Sequence, residues 1–292
     1  MRLILVVALA LVAGILAGRT LARRGVTAAN ALTGRQAQAY AVFLGVAALG
    51  AILYWGPRLA WMPTWFALYS EAMVWDGARA LAAVALGLLL GLEWGGRRDR
   101  ARRRQLLGGS AVLILATAFL LYRSLPVTGI LRPPAVLDGI VIQTTPYTCA
   151  PAAIATLARF TGLDSGMTER DAVRLAGTTR EGSSARAELR ALRALGLTPG
   201  FRRHLTADSL RFLGPAILHV NEPVFSTTIR HAVALLAVDT AARTITVGNP
   251  LSGWQVKRFA ELSGYWDGEA VALGVAFPRL PPRRETQGEP RR

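Results

Sequence analysis

Long apolar runs in the first 122 residues constrain the fold of this chain more than any other feature. A helix needs about 20 such residues to cross a bilayer, and roughly 17 suffice. The third run reaches this length if it extends from Ala78 to Trp94. The pattern predicts an integral membrane region of about four α-helical spans over residues 1–123, in the cell inner membrane. The four runs are Leu3–Ala17, Ala39–Trp55, Ala80–Leu92 and Leu106–Tyr122.

Two stretches of this region allow more than one interpretation. The first run follows a single arginine, as in a cleaved signal peptide, but Arg19, Arg23 and Arg24 come after it and favour a retained anchor. The stretch Leu59–Trp75 is rich in aromatic residues, which prefer the level of the lipid headgroups. It is predicted as an interfacial segment between two spans, with a fifth, poor span as the alternative.

The basic residues predict which side of the membrane each loop faces. The net charge is +16, and all 34 basic residues except Lys257 are arginine. Among the three loops between the apolar runs, loops one and three carry most of the arginines, so the positive-inside rule places both loops in the cytoplasm and, with an even span count, the rest of the chain outside it. The densest cluster of arginines lies in loop three, between two apolar runs, and this position favours a topology signal over nucleic-acid binding. Loop one carries Arg19, Arg23, Arg24 and Arg35; loop two carries Arg58 and Arg79; loop three carries Arg97, Arg98, Arg100, Arg102, Arg103 and Arg104.

The composition changes after the last apolar run. Residues 124–137 contain three prolines and read as a linker, and residues 138–277 alternate short elements. Helices come first, with Thr168 and Ser183 or Ser184 as predicted caps, and strands follow, which predicts an α+β domain with an antiparallel sheet. Residues 278–292 are rich in arginine and proline and are predicted to be disordered. The predicted strands are Ile140–Gln143, Pro215–Val220, His231–Asp239, Arg243–Asn249, Gly253–Val256 and Ala270–Phe277.

The only cysteine, Cys149, lies where a loop between Pro146 and Pro151 turns into an apolar helix. Proline is tolerated before a helix and in its first turn. At the N-terminus of a helix, unpaired N–H groups and the dipole favour a thiolate, which is the nucleophilic form of cysteine. A free cysteine is also often a small buried core residue. Position alone leaves these two interpretations equally open.

A nucleophilic cysteine needs a base and a group that orients the base. Of the three histidines, His204 lies in a polar stretch and His219 inside a strand, whereas His231 opens an apolar strand after the polar segment Ser226–Arg230. If that strand pairs with the next as a hairpin, Asn249 ends beside His231 and can hold its ring. Asn249 also precedes a proline, so a simple turn role stays open. Gln143, six residues before the cysteine, is a candidate oxyanion donor.

The order Gln-x5-Cys-x-Pro-Ala, Pro-Ala-Ile-x-His-Val, His-x-Val-x-Leu-x-x-x-Asp and a strand ending before proline resembles the bacteriocin-processing cysteine peptidases. These are papain-like leader peptidases at the front of peptide-exporting ABC transporters. The resemblance covers residues 137–277 and implies Cys149 as nucleophile, His231 as base, Asn249 as orienting residue and Gln143 as oxyanion donor. The family usually has Gly where this chain has Ala150, and Asp where it has Asn249.

The resemblance implies a membrane-anchored cysteine peptidase with a peptide or protein substrate, a lipid bilayer around its anchor and an exporter as a candidate partner. Lys257 lies in Gln-Val-Lys-Arg-Phe, so no Walker A loop is present. One cysteine and three scattered histidines predict no metal site and no cofactor. Two alternatives remain: a catalytically idle peptide-binding module of a membrane complex, and a transglutaminase-like acyl transferase.

Overall fold

The computed structural model describes residues 2–26, 30, 36–56, 59, 61–94 and 100–277. The chain divides into two compact units, Met1–Leu125 and Pro126–Arg292. The predicted disordered tail, residues 278–292, lies outside the described residues, as do several of the arginines used to predict topology, including Arg35, Arg58, Arg97 and Arg98.

The first unit is helical, but it does not support the predicted count of four spans. Among the described residues, two stretches are long and apolar enough to cross a bilayer, Leu5–Arg23 and Thr64–Leu92. The apolar stretches Leu44–Trp55 and Ile114–Arg123 are shorter. The fourth helix, for example, begins in the arginine cluster, so only its second half is continuously apolar. The helices are α1 (Arg2–Arg23), α2 (Gln36–Trp55), α3 (Thr64–Trp94) and α4 (Arg100–Arg123).

Helix α3 corrects a second prediction about the membrane region. The aromatic stretch expected as a separate interfacial segment, or as a fifth span, continues without a break into the third apolar run over 31 residues. Pro63 lies just before the helix, and no proline interrupts it. Asp76 accepts a hydrogen bond from Arg79 at 2.9 Å, one turn along the same helix. The two charged side chains are thus paired within the helix, and Arg79 is buried.

Helices α1 and α3 pack backbone against backbone through glycines. Each helix carries two glycines four residues apart, Gly14 and Gly18 in α1 and Gly87 and Gly91 in α3. A Cβ added at Gly14 would lie 2.3 Å from the carbonyl oxygen of Val84, and one added at Gly87 would lie 2.2 Å from that of Leu11. Small residues at such spacing allow the close approach that drives association of helices in lipid.

The second unit confirms the predicted α+β class with an antiparallel sheet. A two-stranded sheet pairs β1 with β2, and a six-stranded antiparallel sheet has the order β3-β8-β4-β5-β6-β7. The strands are β1 (Ala135–Leu137), β2 (Ile140–Ile142), β3 (Gly200–Arg202), β4 (Ala216–Val224), β5 (Thr227–Asp239), β6 (Thr244–Asn249), β7 (Gly253–Arg258) and β8 (Trp266–Ala272). The helices are α5 (Cys149–Phe160), α6 (Glu169–Ala176), α7 (Ala185–Ala194) and α8 (Leu262–Tyr265), with a 3₁₀ helix over Ala207–Phe212.

Several predicted boundaries differ from the observed ones. The end of the predicted linker forms β1, because Ala135–Leu137 pairs with Ile140–Ile142. Strand β5 begins at Thr227 instead of His231, since its polar first residues pair with the end of β4 in an exposed hairpin. The last strand runs over Trp266–Ala272, earlier than the predicted Ala270–Phe277. Thr168 forms a capping box with Asp171, as predicted, and Ser184 occupies the predicted position before α7 but makes no side-chain hydrogen bond to the helix.

Helix α5 packs on one face of the large sheet and thereby sets the position of its first residue, Cys149. Thr156, buried within the helix, accepts a hydrogen bond from the backbone N–H of Val141 at 2.9 Å. Gly248 lies under the helix, where an added Cβ would meet Ile140 Cδ1 at 2.7 Å and Thr156 Cγ2 at 3.2 Å. The other face of the sheet carries a second core that includes Val220, Val233, Leu235, Ile245, Val247, Tyr265 and Trp266.

Candidate active site

Cys149 is the first residue of α5, at the end of a loop that is tightly held. The preceding Thr148 makes no side-chain cap to the helix; its hydroxyl donates back to the carbonyl oxygen of Thr145 at 3.1 Å. Glu169 of α6 anchors the same loop by accepting from the backbone N–H and the hydroxyl of Thr144, both at 2.8 Å. The first N–H groups of α5 are therefore left without a side-chain cap, beside the half-buried thiol.

Opposing effects act on the thiol. Burial raises the pKa of Cys149, and the charge of Glu188 acts in the same direction. The backbone N–H groups of Ala232, Ala150 and Cys149 itself favour the thiolate, but burial prevails and the pKa is raised overall. The resting group is therefore a neutral thiol, and it needs a base to become a nucleophile. Because the backbone N–H of Ala232 acts on the thiol, the sulfur of Cys149 lies against the residue that follows His231.

His231 and Asn249 lie side by side on neighbouring strands. Strands β5 and β6 pair antiparallel, with Ala234 opposite Gly248, and His231 and Asn249 lie diagonally just beyond this pair. The distance from His231 Nε2 to Asn249 Oδ1 is 2.9 Å. Both side chains are buried, with 5% and 0% exposure. His231 does not open its strand, as the sequence indicated, but lies four residues inside β5.

A neighbouring backbone group fixes the direction of this hydrogen bond. The backbone N–H of Leu251 points to the same Asn249 oxygen at 2.9 Å, and an N–H can only donate. That atom is therefore the carbonyl oxygen of the amide, so Nε2 of His231 must carry the proton. Burial lowers the pKa of His231, against the hydrogen bond to Asn249 and the charge of Glu222. The neutral ring then has its lone pair on Nδ1, where it can accept a proton.

Gln143 is tied to the loop and to the turn after β6. Its backbone N–H donates to Pro250 O at 3.0 Å, and its side-chain Nε2 donates to Thr145 O at 2.9 Å. Its Oε1 is buried without a hydrogen-bond partner. The side-chain amide thus uses one N–H to hold the cysteine loop and has a second N–H for another acceptor.

The other two histidines are not part of this arrangement. His204 is exposed, as predicted. His219 points to the α7 side, where Nε2 lies 3.0 Å from Glu188 Oε2 and Nδ1 lies 3.6 Å from Glu269 Oε2. Arg203 completes the network, with Nε 3.2 Å from Glu269 Oε1. Burial lowers the pKa of His219, but the two carboxylates more than offset this and raise it to about 10. His219 is therefore a charged member of a buried ion network.

We expect the free energy of unfolding to fall as the pH rises from about 6.5 to about 10 because of His219. The folded state holds the imidazole proton through this range while the unfolded chain releases it, so the contribution is complete below the lower value and lost above the upper one. Urea unfolding of the full chain in detergent across this range measures the slope. His219→Gln should flatten it, and His204→Gln, at an exposed position, should not. An unchanged slope in His219→Gln would contradict the assignment.

Sequence reasoning missed two carboxylates near the site, Glu188 and Glu222. Glu188 lies on the buried face of α7, and a buried charge on an amphipathic helix was its only signal. Glu222 is buried within β4, in a stretch whose Asn-Glu-Pro sequence resembles a turn. Among the residues that the structure describes, no group of three or more His, Cys, Asp or Glu side chains could hold a metal ion.

Comparison with known proteins identifies similar solved structures. No family model matches the sequence, and no curated protein sequence does. A double-glycine motif protease from an AMS/PCAT transporter, solved with its leader peptide, is 20% identical, and the match covers 49% of this chain and 91% of that one with a TM-score of 0.39. The peptidase domain of Streptococcus ComA, a bifunctional ABC transporter of a quorum-sensing pathway, is 19% identical over 47% and 96%, with a TM-score of 0.39.

The peptidase domain of Streptococcus mutans ComA is 18% identical, and the match covers 46% of this chain and 96% of that one with a TM-score of 0.35. The similar structures are thus peptidase domains of transporters and a double-glycine motif protease, the class of protein that the motif order of this sequence resembles.

Proposed function

We propose that this chain is a membrane-anchored cysteine peptidase that cleaves a peptide or leader segment with Cys149, His231 and Asn249. The observation that carries the proposal is the hydrogen bond from His231 Nε2 to Asn249 Oδ1, with the amide direction fixed by Leu251. It leaves Nδ1 of the ring unprotonated, one residue from the backbone N–H that approaches the thiol. A nucleophile, a base and a group that orients the base are the parts that such catalysis requires.

The chemistry follows from these roles. The proton of the Cys149 thiol passes to Nδ1 of His231, and the thiolate attacks the carbonyl carbon of the scissile bond. The backbone N–H of Cys149 and the second N–H of Gln143 stabilise the developing oxyanion. The imidazolium donates its proton to the leaving amine, which leaves a thioester on Cys149. His231 then removes a proton from water, the hydroxide attacks the thioester, and the thiol and a carboxylic acid are released.

The substrate class comes from the motif order of the sequence. The family that these motifs resemble cuts after a pair of small residues such as Gly-Gly, so we propose a leader peptide of this kind and an exporter as a possible partner. The anchor comes from the two apolar stretches of α1 and α3. We propose from the arginines of loop one that this loop is cytoplasmic, which places the peptidase unit outside the cytoplasm when the number of spans is even.

The single thiol of the chain makes the proposal directly testable. A peptide with a thiol-reactive group should label Cys149 in the full chain, and His231→Ala should remove most of that labelling. Mass spectrometry of the products of a Gly-Gly leader peptide, with and without an added amine, separates hydrolysis from acyl transfer. Labelling that is indifferent to His231, without cleavage, would favour an idle binding module instead.

The side of the membrane has its own test. A membrane-impermeant thiol reagent added to intact cells should react with Cys149 if the peptidase unit lies outside. Protection in intact cells, followed by reaction after the membrane is permeabilised, would place the unit in the cytoplasm. The reaction is unambiguous because the chain has no other cysteine.

A further inference from the structure

We propose that Glu222 is a positioning residue for the catalytic histidine, a buried carboxylate that faces His231 and supplies the negative charge that the neutral Asn249 lacks. The proposal rests on the role of His231 in the proposed function. It adds a residue that neither the motif order nor the similar structures assign. It also answers a question raised by the sequence, namely how a histidine works where the resembled family has an aspartate and this chain has an asparagine.

The strand register puts Glu222 and His231 on the same face of the sheet. Val220 is opposite His231, and Glu222 is opposite Ile229. Opposed residues of an antiparallel pair share a face, and alternate residues along a strand return to it. Glu222 and His231 are therefore diagonal neighbours, with Cβ atoms typically about 7–8 Å apart or somewhat less. Both are largely shielded from water, with 7% and 5% exposure.

The carboxylate of Glu222 is held in place by an aromatic hydroxyl. Tyr265, from α8, donates to Glu222 Oε2 at 2.8 Å in a buried contact. The Tyr265 ring is in turn covered by Lys257 of β7, whose Nζ lies 4.6 Å from the ring centroid. Among the described residues, no salt bridge reaches Glu222. An unpaired buried carboxylate is costly for the fold, so its presence beside the base favours a functional explanation.

The groups around His231 differ in charge. The neutral amide of Asn249 on β6 and the carboxylate of Glu222 on β4 act on the ring, and the Cys149 thiol of α5 lies by the backbone N–H of the next residue, Ala232. Burial disfavours the protonated ring and lowers its pKa, while the hydrogen bond to Asn249 and then the charge of Glu222 act against this. Glu222 is the one full charge in that set, and it favours the imidazolium that must form when the thiol loses its proton.

Glu188 offers a contrast on the opposite face of the sheet. Its charge raises the pKa of the Cys149 thiol, so it disfavours the reactive form. It is, however, paired with the charged His219. Among the described residues, Glu222 beside the base thus has no cationic partner, whereas Glu188, which disfavours the thiolate, is paired with the His219 cation. This arrangement favours proton transfer from sulfur to nitrogen.

The test is Glu222→Gln in the full chain, read by the pH dependence of Cys149 alkylation with iodoacetamide and of kcat/KM for peptide cleavage. Loss of the charge should lower the alkylation rate near neutral pH by about tenfold, the change that corresponds to one pKa unit. The acidic limb of kcat/KM, which reports the base in the free enzyme, should move to lower pH because the pKa of His231 falls. Glu222→Asp should keep much of the rate, and Asn249→Asp should restore most of it in the Glu222→Gln chain.

Controls separate this role from a structural one. Asp208→Asn removes an exposed carboxylate and should leave both profiles unchanged. Tyr265→Phe removes the hydroxyl that holds Glu222 and should shift both profiles in the same direction as Glu222→Gln, but by a smaller amount. This variant tests the proposal if Glu222→Gln does not fold. Unshifted profiles in these variants, or no recovery with Asn249→Asp, would overturn the proposal. Alkylation needs no substrate. A changed alkylation profile in a chain that cleaves no peptide would therefore support the role of Glu222 and contradict the proposed peptidase activity.

Discussion

Replacement of His231 by alanine is expected to lower kcat for peptide cleavage by roughly 10²–10⁴-fold, the range of positioned acid–base catalysis. The thiol of Cys149 has a raised pKa and is not ionised at rest, so its activation depends on the base. Cys149→Ala should abolish turnover altogether. Asn249→Ala should cost less than His231→Ala, because the ring would lose its orientation and keep its lone pair.

The measurement is kcat and KM for a leader peptide with the full chain in detergent. His231→Ala and Asn249→Ala should act on kcat more than on KM, since neither group is needed to bind the peptide. Equal losses for Asn249→Ala and His231→Ala would contradict the orienting role of the amide. His219→Ala is the matched control, because His219 lies in the same sheet and belongs to the buried ion network. A loss there as large as for His231 would reverse the assignment of the base.

Replacement of Gly87 by leucine is expected to separate helices α1 and α3. A Cβ at this position would lie 2.2 Å from the Leu11 carbonyl oxygen and 2.9 Å from the Ile15 backbone nitrogen. Both atoms are backbone, so no side chain can turn away and the helices themselves must move. Overpacking of this kind typically costs about 1–3 kcal/mol and occasionally more. Thermal unfolding of the full chain in detergent measures the loss.

Gly77→Leu is the matched control on the same helix. Gly77 is exposed, and an added Cβ there meets nothing within 4 Å. Leucine is also a better helix former than glycine, so this variant should be as stable as the parent or more so. Equal destabilisation by the two changes would show that the Gly87 effect comes from helix propensity or solubility and not from contact with α1. Gly14→Leu, on the other helix, should reproduce the Gly87 result.

The pairing of His231 with Asn249 could be predicted because it follows from local rules. Two apolar strands joined by a short polar connection form a hairpin, and the far ends of a hairpin are adjacent. The observed register, with Ala234 opposite Gly248, agrees with this expectation. The caps at Thr168 and Ser184 were predictable for the same reason, since each depends on a few neighbouring residues.

The start of β5 and the role of Glu222 could not be predicted from such rules. Residues Thr227–Arg230 are exposed and polar except for Ile229, so they lack the apolar alternation that identifies a half-buried strand. Pro223 lies where β4 has already left β8, whose last partner is Val220, and proline is tolerated at such an edge. Only the continuation of the β4–β5 hairpin through these polar residues brings Glu222 beside His231.

The number and bounds of the membrane helices were predicted wrongly for a related reason. Hydropathy divides a sequence into runs at each charge, whereas a helix continues as long as its backbone hydrogen bonds do. Asp76 and Arg79 lie one turn apart in α3 and bond to each other, so they do not end the helix. The facing glycines of α1 and α3 were present in the sequence, but no local rule says which of four helices pair.

Gly248 links the architecture of the second unit to its chemistry. It precedes Asn249 on β6 and lies beneath α5, with Ile140 and Thr156 so close that no side chain fits without displacing them. A missing methyl group thus sets the spacing between the helix that carries the sulfur and the strand that carries the orienting amide. Substitution of Gly248 by a larger residue would misalign the nucleophile and the base before it reduced the amount of folded protein.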